Sequence, residues 1–161
     1  GSNLTNDKRK CNKVSPPATY SRSGKCAFLF KGGAGESSKI SQTIKPDAGT
    51  LRATVPLTVY AWIDGAPNYV LAKVVAYYTD GSRQAFSALM GPSVGYTQFT
   101  TAPFFLAKDT SKLKVSFQHT WTSGKLYLDD VVILTGLVDS SRSALLQVPE
   151  PQDTPSGWRT P

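Results

Sequence analysis

In a chain of 161 residues, one histidine and two cysteines leave few groups able to serve as nucleophile, general base or soft-metal ligand. His119 stands between Gln118 and Thr120 in an alternating run. No Gly-x-Ser-x-Gly turn offers it a serine, so its place in the alternation reads as a core histidine rather than a triad member. A single His with two Cys cannot build a His/Cys or Cys₄ zinc cluster within one chain. Glycoside hydrolysis needs two carboxyl groups about 5 to 10 Å apart on facing sides of a cleft. Asp129 and Asp130 are neighbours in sequence, but alternation sends them to opposite faces of one strand. The chemistry these residues support is binding, and the expectation is that the chain is not an enzyme and uses no cofactor.

Cys11 and Cys26 flank a loop rich in Pro, Ser and Gly, with no Cys-x-x-Cys spacing. A disulfide closing such a loop stabilises the fold by about 3 kcal/mol on the chain-entropy argument and requires an oxidising compartment. The alternative is a pair of reduced, partly buried thiols. An Asn3-Leu4-Thr5 sequon is compatible with export and decides nothing. The net charge of +7 is concentrated at the start: residues 1 to 31 hold seven Lys or Arg and one Asp, and the other 130 hold eleven bases and ten acids. Lacking interleaved aromatics or a recognition motif, this arm does not read as a nucleic-acid site. No stretch is long and apolar enough to span a membrane, so a secreted chain whose signal has been removed is expected.

Positioning falls to strands. Alternation recurs over Lys25–Phe30, Ser38–Ile44, Leu51–Val55, Leu57–Ile63, Tyr69–Thr79, Arg83–Leu89, Tyr96–Thr101, Leu113–Trp121 and Lys125–Leu134, with no helical stripe. Turn signals such as Asp80-Gly81 and Ser123-Gly124 separate them. Eight or nine short antiparallel strands predict an all-β fold, a two-sheet antiparallel sandwich of the jelly-roll kind. The expected division is a basic arm over 1–22, the sandwich over 23–136, and an extended Pro-rich C-terminal tail over 137–161.

Parity within each strand separates core from surface. Leu57, Val59, Ala61 and Ile63 face inward, leaving Thr58, Tyr60 and Trp62 outward. Val70, Ala72, Val74, Ala76 and Tyr78 oppose Lys73 and Tyr77; Leu113, Val115, Phe117, His119 and Trp121 oppose Gln118. In the last strand strict alternation sets Tyr127, Asp129, Val131 and Ile133 against Leu126, Leu128, Asp130 and Val132. Tyr60, Trp62, Tyr77 and Gln118 thus lie on non-core faces. If together on one sheet, they supply flat apolar surfaces and an amide, which are the means of holding a sugar ring.

The segment Ser123-Gly124-Lys125-Leu126-Tyr127-Leu128-Asp129-Asp130-Val131-Val132-Ile133-Leu134 resembles the closing strand of the galactose-binding-like jelly rolls found as carbohydrate-binding modules on xylanases and cellulases. Three further stretches agree: Ser23–Phe30 ahead of Ser41-Gln42, Leu57–Ile63, and Val74–Ser82. The resemblance covers about residues 20 to 135 and concerns the fold, which hosts glycan binding, adhesion and assembly alike. Family members open with an Asn-Gly-Gly-Phe-Glu-like strand that has no counterpart here, so the sandwich is expected to lack its first strand. In the family the first Asp of the Asp-Asp pair, with oxygens from that opening strand, often holds a structural calcium. Asp129 is the matching residue, without the matching partners.

The resulting expectation is an extracellular, non-catalytic module that binds a glycan or cell-surface polysaccharide through Tyr60, Trp62, Tyr77 and Gln118. The alternative is self-assembly. A sandwich short of one strand leaves an open edge, and the apolar tail segment Ala144, Leu145, Leu146 and Val148 is suited to fill that edge in a neighbouring, identical subunit.

Overall fold

The computed structural model describes residues 8–32, 37–46, 51–65, 69–120 and 124–135, together with the backbone of a strand at 145–147. Trp121, Ala144, Val148 and the first seven residues of the basic arm lie outside the described residues. Eleven strands and no helix are found among them: β1 (Lys8–Cys11), β2 (Cys26–Phe30), β3 (Ser38–Ile44), β4 (Pro56–Asp64), β5 (Val70–Tyr78), β6 (Arg83–Met90), β7 (Thr97–Thr100), β8 (Phe104–Phe105), β9 (Thr110–His119), β10 (Leu126–Thr135) and β11 (Leu145–Gln147). One sheet runs β1-β2-β10-β4-β7, with β8 beside β4 and β11 beside β10; the other runs β3-β9-β5-β6. Every pairing is antiparallel. The all-β two-sheet sandwich expected from the alternation is the fold.

In β4, β5 and β9 the core is the set that parity selects. Leu57, Val59, Ala61 and Ile63 of β4 are fully buried against Val70, Val74 and Ala76 of β5 and Leu113 and Phe117 of β9. Each Val, Leu, Ile or Phe side chain so removed from water contributes about 1.5 to 3 kcal/mol before the cost of ordering it. His119 lies within this core against Phe30, ring centroids 5.7 Å apart. Gly65, which follows β4, admits no side chain, since a Cβ there would sit 2.9 Å from the Leu126 Cα.

Four elements differ from the sequence reading. The basic segment expected as an arm over 1–22 joins the sandwich from Lys8 onward: β1 is an edge strand on β2, and the loop after it packs on the sheet. The Leu51–Val55 strand reduces to one bridge, Leu51 to Thr110, because the chain turns at Ala53-Thr54, with Thr54 left-handed at φ 64°. Phe104–Phe105 forms a two-residue strand at the edge of β4. In β10 the alternation slips at a bulge between Asp129 and Val132, where Asp130 has φ 46°. The extra residue lets Leu126 and Leu128 before it and Val131 and Ile133 after it all face the core.

β2 covers β10 only at Leu126 to Leu128. Beyond it on β10, β11 of the same chain pairs with Val132 to Leu134. The tail segment seen as a donor strand thus lies on its own sheet.

Candidate functional site

The outward residues of β4 sit mid-sheet, with β10 on one side and β7 on the other. Register sets Asp129, Trp62 and Gln98 in one row and Val132, Tyr60 and Thr100 in the next. Successive rows are about 6.7 Å apart along a strand. Gln98 and Thr100 are exposed, and Tyr60 and Trp62 are partly so. One aromatic therefore stands beside a carboxamide and the other beside a hydroxyl.

The loop between β1 and β2 forms one wall of this face. Its ends are tied by the Cys11–Cys26 disulfide, on paired positions of the two strands. Inside it, Asn12 Oδ1 accepts the N–H groups of Tyr20 at 2.7 Å and Ser21 at 3.1 Å, while Asn12 Nδ2 donates to Ser21 Oγ at 2.9 Å. The Tyr20 ring stacks on Tyr127 of β10 at 6.1 Å, and the Tyr96 hydroxyl donates to the Tyr20 carbonyl at 2.5 Å. Burial, then the nearby Asp129 charge, pushes the Tyr96 phenol well above the usual tyrosine range, so it stays a donor.

The far end of the loop meets the Asp-Asp pair. Asp129 Oδ2 accepts the amide N–H of Arg22 at 2.9 Å and of Ser23 at 3.4 Å, and its Oδ1 accepts the N–H of Asp130 at 2.9 Å. Burial raises the Asp129 carboxyl above its ordinary value, against the pull of the Arg22 and Asp130 amides. Asp130 takes the Arg22 guanidinium as an ion pair at 2.5 Å and the Ser23 hydroxyl at 2.5 Å. The same guanidinium lies 3.8 Å from the centre of the Trp62 ring. Bulge, loop and Trp62 are thereby one unit. A guanidinium has five N–H donors, more than these contacts use.

That arrangement bears on the structural calcium that the family resemblance attaches to the position of Asp129, where the sequence lacks the family's partner residues. Both its oxygens are taken by backbone amides, and the adjacent carboxylate already carries a guanidinium. No group of three metal-ligating side chains occurs among the described residues. The pair is built to hold the β1–β2 loop, and its donor set does not fit a calcium ion.

Of the four predicted ligand residues, the fold brings two together. Tyr60 and Trp62 share the outer face of the seven-stranded sheet. Tyr77 on β5 and Gln118 on β9 lie on the outer face of the other sheet, across the whole thickness of the sandwich. They are also far apart there, because Gln118 pairs with Leu71 and Tyr77 with Lys112, about 20 Å away along the strands. Tyr77 carries Lys112 Nζ over its ring at 4.6 Å, and Gln118 Nε2 donates to Ser37 Oγ at 3.1 Å. Alternation gives a side chain its face of a strand but not the sheet to which the strand belongs. Sequence reading also missed Gln98, Thr100 and Arg22. The first two carried a signal, the alternation of Tyr96–Thr101; Arg22 carried none, being one cation among seven in the first 31 residues.

No family model and no curated protein matches this sequence. Among solved structures, the chain is similar to the carbohydrate-binding module TmCBM61 in complex with β-1,4-galactotriose, at 16% identity and TM-score 0.56, over 83% of this chain and 84% of that one. It is similar to a family 16 carbohydrate-binding module at 13% identity and TM-score 0.52, covering 71% of this chain and 79% of the module. It also matches the enzymatically active domain of tailspike protein 4 of bacteriophage CBA120, at 11% identity and TM-score 0.57, over 85% of this chain but only 20% of that larger one. At these identities the shared property is the jelly-roll fold, the one expected from the resemblance in the closing strand.

Proposed function

We propose that the chain is a non-catalytic, extracellular glycan-binding module whose binding face is the outer surface of β10, β4 and β7. The observation that carries this reading is the pair of rows in which Trp62 adjoins Gln98 and Tyr60 adjoins Thr100. Tyr60 offers the apolar surface on which a sugar ring stacks, and Gln98 and Thr100 reach its hydroxyls. Trp62 has a different part from the one its sequence position suggests. With Arg22 over one face it acts as a fixed wall, aiming the remaining guanidinium N–H groups along the surface. A non-catalytic role is supported by the use of Asp129 and Asp130 as loop anchors and the burial of His119 in the core. The disulfide supports an oxidising location outside the cytosol.

Since TmCBM61 holds β-1,4-galactotriose on the same fold, β-1,4-galactan is the first probe. Affinity electrophoresis through gels containing galactan, xylan or glucan should show retardation with at least one of them. Tyr60→Ala should remove it, whereas Tyr77→Ala, on the opposite sheet, should not.

A second reading rests on one observation, the pairing of Leu145–Gln147 with β10 beyond the end of β2. A strand that completes its own sheet from the end of a tail can be exchanged with an identical subunit, and repeated exchange makes a polymer. Deleting residues 143–161 should then leave monomers by light scattering. Oligomers that persist without the tail would remove this reading.

A further inference from the structure

The four-stranded sheet presents its own outer face, which the glycan reading leaves unused. Alternation along β3, β9, β5 and β6 turns Lys39, Lys112, Lys114, Lys73 and Arg83 outward on it. Among the described residues no Asp or Glu shares that face: Asp80 and Asp109 lie in the turns at one end, and the other described acids belong to the opposite sheet. Register spreads the charges across the strands. Lys73 pairs with Ser116, two positions from Lys114, which places the two amines on diagonal neighbours, and Lys39 sits opposite Gln118 on the outer strand. Burial and the charges of Lys114 and Lys73 together lower the Lys39 pKa. Cations gathered on one face with no acid beside them among the described residues repel one another, a cost that a polyanion laid across them removes.

We infer that this face binds a linear anionic polysaccharide, the lysines meeting its carboxylate or sulfate groups and the hydroxyls between them meeting its sugar hydroxyls. The polysaccharide is favoured over a nucleic acid by what stands between the cations. Ser41, Ser87 and Gln118 are hydrogen-bonding groups suited to sugars. Tyr77 is the one aromatic ring on the outward positions of these strands, with Lys112 over it at 4.6 Å, and Tyr69 stands just before β5, so the face lacks the row of rings on which successive bases stack. The inference is separate from the Tyr60–Trp62 face, about one sandwich thickness away.

The test uses the intact chain and two probes, polygalacturonate and uncharged β-1,4-galactan, with binding followed at low and at moderate salt. Polygalacturonate should bind and weaken as salt rises. Changing Lys39, Lys73 and Lys114 together to Gln should weaken it by at least about tenfold, since each exposed ion pair contributes little and three add. A control that removes the same three charges elsewhere, Lys8, Lys13 and Lys25 to Gln, should change binding by less than about twofold. Equal loss in both variants would reduce the effect to net charge and overturn the proposal, as would single-stranded DNA binding as tightly as polygalacturonate. A single Lys73→Glu exchange, on an exposed position, should weaken binding in the same direction; no effect from it or from the triple change would also overturn it. Binding of galactan, abolished by Tyr60→Ala and untouched by the triple change, keeps the failure of one face distinct from failure of the other.

Discussion

At the scale of single residues, Asp129 and Arg22 do more to shape the candidate face than the aromatics themselves. Asp129 satisfies three amide N–H groups at the bulge and the loop end. Removing its carboxyl by Asp129→Ala orphans these donors and should cost about 1 to 3 kcal/mol in urea denaturation. The sign of its pH dependence follows from the raised carboxyl. With the folded-state pKa above the ordinary 3.8, the native state binds the proton more readily than the unfolded chain, so this contribution is fully present below that value and is lost as pH rises through the folded pKa. The Asp129→Ala variant should lack that decline over the same range. Arg22→Ala should free the Trp62 ring and break the ion pair with Asp130 while leaving the core unchanged. Its signature is a shift in tryptophan emission, with an exposed ion pair contributing no more than about 1 kcal/mol to stability.

Among the elements, the β1–β2 hairpin carries the most consequence, because the loop that walls the face hangs from it. Replacing Cys11 and Cys26 by Ser opens a loop of sequence separation 15 and should lower stability by about 3 kcal/mol. Limited proteolysis between residues 12 and 25 should become fast, and retardation in glycan gels should fall together with loop order. How legible such elements are depends on whether their side chains alternate. β4, β5 and β9 were readable since each buries an unbroken period-two apolar set. β1 was not, for Lys-Arg-Lys-Cys has no apolar side and takes its form from the edge of β2. β10 was half legible: its apolar residues were evident, but the bulge at Asp129 shifts their phase, and only a residue inserted opposite its partner strand explains why four of them are buried.

For the molecule as a whole, both sheets close on one core, so the sandwich should unfold in a single transition. Phe117→Ala, at a site with almost no exposed surface, should cost about 3 to 5 kcal/mol, with circular dichroism and fluorescence losing their signals at the same urea concentration. A fold of this kind holds two independent outer surfaces at fixed separation, and their compositions differ. One face carries Tyr60 and Trp62 beside an amide and a hydroxyl, the other a set of cations with no acid among the described residues. Alternation in the sequence set Tyr60 and Trp62 apart from the core but gave neither their neighbours Gln98 and Thr100 nor the gathering of cations on the other face, since membership of a sheet depends on pairings between strands far apart in the chain, such as β4 with β10 and β5 with β9.

The most direct test of the glycan-binding face is gel retardation of Tyr60→Ala and Tyr77→Ala beside the unaltered chain on whichever neutral polysaccharide slows it. The account predicts that Tyr60→Ala runs as if no polysaccharide were present and that Tyr77→Ala remains retarded. Retardation that survives Tyr60→Ala but is lost with Tyr77→Ala would put the site on the other sheet and contradict it.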